Sequence, residues 1–218
     1  MNAATRFEIT GALPGPGITV VEASALQGAA PRDCRVLDFG IGWGRLARLW
    51  LKYGGPDRLD GCDAWDESLE KARDCGLRNH LVRSDPLLET LPFDEASFDI
   101  VWAFSVFTHL SPEAMLHGLT GLAKMLKPSG TLIFTVRPHS YWDLETPQQL
   151  MTNAQPGEMV DTEDVKFLQH RSNDPYYGDI SVSGSFIHES CRKTGLKIVS
   201  MSWGTTDAYQ ISVVAQRS

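Results

Sequence analysis

The sequence lacks basic clusters and long apolar runs, and it contains only four cysteines. Lysine and arginine total 20 against 27 acidic residues, which gives a formal net charge of −7. Because an acidic chain without clustered cations is a poor partner for phosphate backbones, we expect no nucleic-acid partner. No apolar stretch approaches the length that spans a bilayer, so we expect no membrane insertion. The remaining composition, with 42% hydrophobic residues, predicts an ordinary globular protein with one sizeable core.

The cysteines show no paired metal-ligand spacing. Cys34 and Cys62 flank or lie in candidate core strands, while Cys75 and Cys191 stand apart. This pattern favours the interpretation that the thiols are reduced and mostly buried in a cytoplasmic protein. The first residues also lack the basic start and apolar run of a signal peptide. No compact array of His, Asp and Glu indicates a metal-dependent enzyme, so we expect no metal.

The stretch from Arg35 to Arg45 is the most informative part of the chain. It predicts a short buried strand that runs into a turn with alternating glycines at positions 40, 42 and 44, followed by a helix. Glycine has no Cβ, so a ligand can lie directly against such a backbone. The helix N-terminus offers free N–H groups to an anionic group. We therefore expect a nucleotide-type cofactor rather than a bare turn.

Strands and helices alternate across residues 34–136. The predicted strands lie near residues 35–39, 58–62, 80–84, 98–104 and 131–136, and the predicted helices cover residues 44–53 and 66–73 and the segment from Ser111 to about residue 126. Because parallel strands need crossover helices, this alternation predicts a parallel, doubly wound sheet.

The pattern changes after Arg137. Residues 138–181 are polar and aromatic with few clear periodicities, and a segment of that length is usually functional. A final helix is predicted near residues 185–194. Two strands follow, near 197–203 and 210–216, and the short turn between them permits only an antiparallel pair.

Two cofactor classes fit a glycine turn after strand one and an acid after strand two, the place that Asp63 occupies. The dinucleotide fingerprint requires a small residue at its last position, and this chain has Arg45 there. The spacing Gly40-x-Gly42-x-Gly44 behind Asp38 instead resembles motif I of the class I S-adenosylmethionine-dependent methyltransferases.

Further segments resemble that family in the same order. They are residues 59–65, 84–86, 91–93, 97–101 and 126–132. The resemblance covers residues 34–136 closely and the remainder loosely. It implies an α/β fold: a Rossmann-like three-layer sandwich around a mostly parallel seven-stranded sheet with an antiparallel C-terminal hairpin strand. We expect a single domain, 1–218, divided into an N-terminal cap (1–33), a cofactor-binding core (34–136), an acceptor-side insertion (137–184) and a terminal helix and hairpin (185–218).

The resemblance implies S-adenosylmethionine as the cofactor and S-adenosylhomocysteine as its product. In the family, the acid at the position of Asp63 holds the ribose hydroxyls, and the acid at Asp85 contacts the adenine amino group. The cofactor-binding candidates are Asp38, Gly40, Ile41, Gly42, Arg45, Asp63, Ala64, Ser84, Asp85, Pro86, Phe104 and Ser105. Alternatives stay open for two of them: Asp85 also fits a turn-forming Asp-Pro pair, and Arg45 also fits a helix start.

Methyl transfer mainly requires alignment of the acceptor, and a general base is needed only for an O–H or a protonated amine. His109, His139 and Tyr177 are the catalytic candidates, with the histidines as possible bases. For each histidine the alternative is a structural hydrogen bond. The aromatic side chains of Tyr141, Trp142, Tyr176 and Tyr177 are expected to wall the acceptor pocket or to anchor the loop.

A narrower resemblance concerns residues 102–110 and 174–179, which are similar to a bacterial subgroup often encoded near glycan-assembly enzymes. The sequence thus predicts a methyltransferase of class EC 2.1.1.- that methylates a small-molecule or glycan hydroxyl with a histidine base. The alternatives are N-methylation of a small amine, a non-catalytic S-adenosylmethionine-binding partner or regulator, and a nicotinamide-dependent oxidoreductase. A monomer and a homodimer are both compatible with the sequence.

Overall fold

The computed structural model describes residues 31–144, 159–171, 174–203 and 209–218. The helices of these ranges are α1 (Ala47–Gly54), α2 (Asp66–Asp74), α3 (Pro112–Met125) and α4 (Gly184–Lys193). The strands are β1 (Val36–Phe39), β2 (Leu59–Asp63), β3 (His80–Arg83), β4 (Phe98–Ala103), β5 (Leu126–Val136), β6 (Met159–Asp161), β7 (Val165–Arg171), β8 (Asp174–Val182), β9 (Leu196–Trp203) and β10 (Ile211–Arg217). Most of the N-terminal cap predicted for residues 1–33 lies outside the described residues.

Seven strands form one sheet in the order β3-β2-β1-β4-β5-β10-β9. Strands β1 to β5 pair in parallel, whereas β10 is antiparallel to both of its neighbours. This arrangement confirms the predicted Rossmann-like fold, including its antiparallel C-terminal hairpin. Strand order reverses beside β1, which pairs with β2 on one side and with β4 on the other. Such a reversal opens a crevice at the carboxyl ends of the strands, where ligands of open α/β sheets bind.

Helices cover both faces of the sheet because the strand side chains alternate between two apolar clusters. Val36 packs in the cluster that includes Trp50 of α1, whereas Leu37 and Phe39 pack in the cluster that includes Leu119 of α3. Parallel strands buried on both faces read as continuous apolar runs, and the sequence of β4 shows this pattern. None of the helices in the described ranges is long and apolar enough to cross a bilayer.

Helix α3 begins as its sequence predicts. The Ser111 side chain accepts a hydrogen bond from the N–H of Ala114, and Pro112 occupies the first helical turn. Such a cap satisfies a backbone donor that has no partner within the helix. The cap fixes where the loop after β4 ends, and that loop carries His109.

The segment after Arg137 contains regular structure that the sequence pattern does not predict. Strands β6, β7 and β8 form a separate antiparallel sheet, and Leu110 bridges to Tyr177 of β8. Strand β5 also differs from the prediction, since it begins at Leu126 and its pairing with β4 shifts between Phe98 and Ile100. Residues 127–130, between the predicted helix and the predicted strand, are therefore an irregular start of β5.

Candidate functional site

A cleft of about 330 Å³ lies at the carboxyl ends of β1, β2 and β4. Small-molecule sites commonly have volumes of several hundred Å³. The three-stranded sheet contributes the opposite wall through Asp174, Tyr176 and Tyr177 of β8. The glycine loop and the second-strand acid therefore meet a wall from a distant part of the sequence.

Asp63 ties the glycine loop to the end of β2. Its Oδ2 accepts a hydrogen bond from the N–H of Gly42 at 2.9 Å, and its Oδ1 accepts one from the N–H of Trp65 at 3.0 Å. Burial raises the pKa of Asp63, and the hydrogen bonds from the Trp65 and Gly42 backbone oppose that rise. The carboxyl group thus lines the cleft in a fixed orientation and retains lone pairs for hydrogen-bond donors of a ligand.

The glycine loop is shaped by positive φ angles at Gly40, Gly42 and Gly44. A Cβ on Gly40 would lie 2.3 Å from Val106 Cγ2, and one on Gly44 would lie 2.0 Å from Leu77 Cδ1. A Cβ on Gly42 would meet nothing within 4 Å. Gly40 and Gly44 are therefore needed for packing, whereas Gly42 faces open space in the cleft.

Asp38 is buried at the end of β1, and its Oδ2 has no hydrogen-bond partner within the described part of the chain. Burial, assisted by the negative charge of Asp63, raises the pKa of Asp38 to about 7. Buried acceptors of this kind are normally satisfied by a ligand group or an ordered water. An amino group of a bound ligand, or a water that it holds, fits this acceptor.

Asp85 makes the turn interaction that the sequence offers as its structural alternative. Its Oδ1 accepts a hydrogen bond from the N–H of Leu87 at 2.8 Å, which is the turn interaction. The residue also lines the cleft, together with Ser84 and Pro86.

Ser105 follows β4 with a φ of 57°, a conformation that costs energy for a non-glycine residue. Its N–H donates to Thr135 Oγ1 at 2.8 Å, and its Oγ accepts a hydrogen bond from Gln210 Nε2 at 2.9 Å. These bonds join β4, β5 and the start of β10 beneath the cleft. Strained residues that the surrounding structure holds in place are common in binding sites.

His109 lines the cleft, and both of its ring nitrogens have neighbours. Nδ1 lies 3.1 Å from the carbonyl oxygen of Gly178, and Nε2 lies 3.3 Å from Nη2 of Arg137. Because a guanidinium can only donate, Nε2 is the acceptor and Nδ1 carries the proton. In this geometry the Nε2 lone pair faces a cation rather than the cleft.

Asp179 joins His109 to Arg137 and His170. Arg137 Nη1 donates to Asp179 Oδ1, and His170 Nε2 lies 2.9 Å from Oδ2. Burial alone would raise the pKa of Asp179, but the His109 hydrogen bond and the Arg137 charge outweigh it and hold the pKa below its usual range. The carboxylate therefore stays ionised and offsets the charge of Arg137.

Tyr177 is held between aromatic rings from both sides of the cleft. Its ring stacks on His109 with centroids 5.6 Å apart, and the Trp65 ring meets it edge-on at 5.2 Å. Trp65 follows β2, whereas Tyr177 belongs to β8. The aromatic side chains thus connect the two walls of the cleft.

The structure brings together most of the residues that the sequence singles out. Those that line the cleft are Gly40, Gly42, Asp63, Ala64, Ser84, Asp85, Pro86, Phe104, Ser105, His109 and Tyr177. Asp38 and Ile41 are buried behind the lining, and Arg45 is exposed to solvent outside it. Ile41 packs in the core cluster of α1 and α2, so its contribution is to hold the loop.

His139 lies outside the cleft lining. Its Nδ1 is 2.7 Å from Ser181 Oγ, and its Nε2 is 2.9 Å from the carbonyl oxygen of Glu163. Trp142 donates to the same Ser181 hydroxyl at 2.7 Å, and the Tyr141 ring lies against Arg137. These three side chains anchor the small sheet, which is the structural alternative that the sequence leaves open for them.

Several lining residues fall outside the sequence-based candidate set. They are Phe39, Ser68, Val106, Leu110 and Asp174. Tyr176, one of the aromatic side chains expected at the pocket, and Trp65, the last residue of the similar segment 59–65, also line the cleft. Asp174 belongs to segment 174–179 of the narrower resemblance, and it reaches the cleft because the backbone of β8 bonds to residues 109–111. Within the described ranges, no three His, Cys, Asp or Glu side chains group as metal ligands.

Comparison with known proteins agrees with this architecture. Residues 36–130 match the family model described as "Methyltransferase domain". A malonyl-[acyl-carrier protein] O-methyltransferase from Enterobacter lignolyticus is 32% identical over 115 residues, which are 52% of this chain and 43% of that protein. A sarcosine/dimethylglycine N-methyltransferase from Halorhodospira halochloris is 32% identical over 122 residues, 54% of this chain and 42% of that protein.

A solved structure shares the fold over a longer range. The 1,6-didemethyltoxoflavin-N1-methyltransferase of Burkholderia thailandensis, with bound S-adenosylhomocysteine, has a TM-score of 0.60 at 17% identity, covering 91% of this chain and 78% of that chain. The chain spans less than half the length of the two relatives matched by sequence. The family match makes residues 36–130 similar to a methyltransferase domain, and the solved structure shows that the fold is shared. Neither comparison extends to the glycan-associated subgroup.

Proposed function

We propose that this chain is an S-adenosylmethionine-dependent methyltransferase that acts on a small-molecule acceptor. The observation that carries the proposal is the Asp63 carboxylate, fixed by the N–H groups of Gly42 and Trp65 at the edge of the cleft. An oriented carboxylate next to a bare glycine backbone is suited to a ribose diol. The family match over residues 36–130 supports the same cofactor class.

The residues present fit this cofactor. Asp63 would hold the ribose hydroxyls, and Asp85 with Ser84 and Pro86 would surround the adenine. Gly42 leaves open space for the cofactor, and the unsatisfied Oδ2 of Asp38 suits its amino group or a bridging water. When bound, S-adenosylmethionine supplies a methyl group already activated on a sulfonium. The side chains then mainly have to align an acceptor and exclude water.

The sequence favours a small-molecule or glycan hydroxyl as the acceptor, with a histidine base, and keeps a small amine as the alternative. An O–H acceptor needs a base within hydrogen-bond reach. His109 is the histidine that lines the cleft, and the Arg137 guanidinium faces its Nε2 lone pair. A hydroxyl acceptor therefore requires His109 to leave Arg137, whereas an amine that has already lost its proton does not. This geometry favours the amine as a second candidate function.

Calorimetric titration with S-adenosylmethionine and S-adenosylhomocysteine tests the cofactor assignment. We expect micromolar binding of at least one, and a loss of about 1–3 kcal/mol of binding free energy in Asp63→Ala, because the ribose hydroxyls lose their acceptor. Asp66→Asn, which changes an exposed acid nearby, should bind as the wild type does. No binding by either compound to folded protein would overturn the proposal.

Turnover separates an enzyme from a non-catalytic cofactor-binding protein on the same fold, since both would bind. Production of S-adenosylhomocysteine with a panel of small amines, sugars and phenols is the expected result. Tight cofactor binding without any turnover across the panel would favour the regulator. Submicromolar binding of reduced nicotinamide cofactor would favour the oxidoreductase instead.

A further inference from the structure

The charges that line the cleft are of one sign. Asp63, Asp85 and Asp174 contribute carboxylates, and no lysine or arginine is among the described residues that form the lining. The segments outside the described ranges contain a single lysine or arginine, Arg6, and five acids: Glu8, Glu22, Glu145, Glu158 and Asp207. An anionic acceptor would therefore find like charges and no counter-ion among the described residues.

Arg137, whose guanidinium contacts His109 of the lining, is neutralised by Asp179. Arg137 donates to Asp179 and to the carbonyl oxygen of Thr108, and its side chain is only 12% exposed. Its guanidinium also lies over the Tyr141 ring. Arg137 is therefore occupied by its own partners and is not available to a carboxylate or phosphate in the cleft.

The proposed cofactor leaves one of the three acids unused. Under the proposed function, on which this inference rests, Asp63 and Asp85 belong to the adenosine end. Asp174 comes from β8, on the opposite wall, and its Oδ1 accepts the N–H of Tyr176 at 3.1 Å. Tyr177 and Trp65, whose rings meet at 67°, stand beside it in the lining. Aromatic faces and a carboxylate together are the surroundings that bind ammonium groups.

We propose that the methyl acceptor is a cationic amine and that Asp174, with the Trp65 and Tyr177 rings, recognises its charge. The ammonium group loses one proton to water at the open cleft before the transfer. The nitrogen lone pair then forms the N–CH₃ bond, the S–CH₃ bond breaks, and its electron pair stays on sulfur. The methylated product is again a cation, so Asp174 faces a positive charge before and after the reaction.

Binding of three probes of the same shape tests the proposal without requiring turnover. They are choline, its neutral carbon isostere 3,3-dimethylbutan-1-ol and the anion 3,3-dimethylbutanoate, each titrated into protein saturated with S-adenosylhomocysteine. We expect choline to bind about tenfold or more tightly than the neutral isostere, in line with a partly screened ion pair and cation–π contact. The anion should bind most weakly.

Matched variants assign the preference to Asp174. In Asp174→Asn the side-chain oxygen that accepts the Tyr176 N–H remains, so the turn is kept while the charge is lost. We expect the advantage of choline over its isostere to fall about tenfold in this variant. Asp161→Asn removes an equivalent charge from the exposed end of the same small sheet and should leave the advantage unchanged.

Equal binding of choline and the alcohol, a preference for the anion, or an unchanged preference in Asp174→Asn would each overturn the proposal. So would turnover confined to neutral hydroxyl or anionic acceptors. These results differ from those that would overturn the proposed function. If the proposed function is wrong, S-adenosylhomocysteine will not bind, and both the proposed function and this inference will fail.

Discussion

Individual side chains decide how each half of the cleft is held. Asp63 uses both carboxylate oxygens to fix backbone N–H groups, so the residue that faces the ligand also sets the shape of the loop. His109 is fixed in the same way, by a carbonyl oxygen on one side and Arg137 on the other. Changing either residue alters a side chain of the cleft lining and also removes hydrogen bonds that order its neighbours.

The two predicted histidines allow a direct test of position. His109→Ala should leave cofactor affinity within about twofold and lower turnover by about tenfold or more, because Tyr177 loses the ring on which it stacks. Calorimetry and steady-state kinetics measure the two effects. His139→Ala, outside the cleft lining, is the control and should change neither property directly. An equal loss of affinity and turnover in His109→Ala would assign the residue a purely structural role.

Asp38 predicts a pH dependence of the free energy of unfolding. Its pKa is raised from 3.8 to about 7 in the folded protein, so the folded state binds more protons between about pH 4 and pH 7. Stability contributed at low pH is therefore lost as the pH rises through this window. We expect Asp38 to lower the free energy of unfolding of the wild type by about 2–4 kcal/mol between pH 4 and pH 8. Asp38→Asn should lack this decline.

Urea unfolding of ligand-free protein at pH 4, 6 and 8 measures this slope. Asp57→Asn, an exposed acid, should keep the wild-type decline. The same decline in Asp38→Asn would place the titrating group elsewhere, with Asp63 as the next candidate because its pKa is raised in the same direction.

At the scale of elements, the loop between β1 and α1 contains glycines of two kinds: some are needed for packing, and one faces the open cleft. Gly44 has a φ of 80°, and a Cβ there would collide with Leu77, whereas a Cβ on Gly42 would enter open space. The spacing of the glycines predicts the loop, but it does not distinguish these two roles. They depend on neighbours that are distant in the sequence.

Alanine substitutions should separate the two roles. Gly44→Ala should lower the free energy of unfolding by about 2 kcal/mol or more, since it combines a collision with an unfavourable φ. Gly42→Ala should cost only about 1 kcal/mol in stability, yet weaken S-adenosylhomocysteine binding at least tenfold, because its Cβ occupies ligand space. Thermal unfolding and calorimetry measure the two quantities. Full cofactor affinity in Gly42→Ala would show that the ligand does not approach this residue.

At the scale of the whole molecule, one ion pair joins the two sheets. Arg137 follows β5 of the large sheet, and Asp179 belongs to β8 of the small sheet; both side chains are largely buried. Breaking a buried pair by removing one partner typically costs about 3–5 kcal/mol, because the remaining charge is left uncompensated. The pair is one of several contacts that hold β8 at the cleft, beside the backbone hydrogen bonds from Gly178 and Ile180 to the loop after β4.

We expect Asp179→Asn to lower the free energy of unfolding by about 3 kcal/mol, and Arg137→Met/Asp179→Asn to recover part of that loss. Denaturant unfolding at pH 7 measures both. The depressed pKa of Asp179 also means that its contribution is present above pH 4 and is lost as the pH falls below that value. If the double variant loses as much free energy of unfolding as Arg137→Met and Asp179→Asn lose together, the two side chains are not coupled across the sheets.

The sequence by itself determined the parallel sheet, its antiparallel hairpin and the motif residues at the carboxyl ends of the strands. Local patterns set these features: apolar runs bounded by turns, the cap at Ser111, and acids at the ends of adjacent strands. The resemblance to the methyltransferase family singled out Asp63 and Asp85, and both line the cleft because the carboxyl ends of parallel strands meet at one edge. Only the tertiary structure decided how the small sheet joins the cleft. Its strands are consecutive hairpins in a polar segment without a clear period, but the backbone of β8 bonds to residues 108–111, which are distant in the sequence. These contacts bring Asp174 and Tyr177 to the cleft.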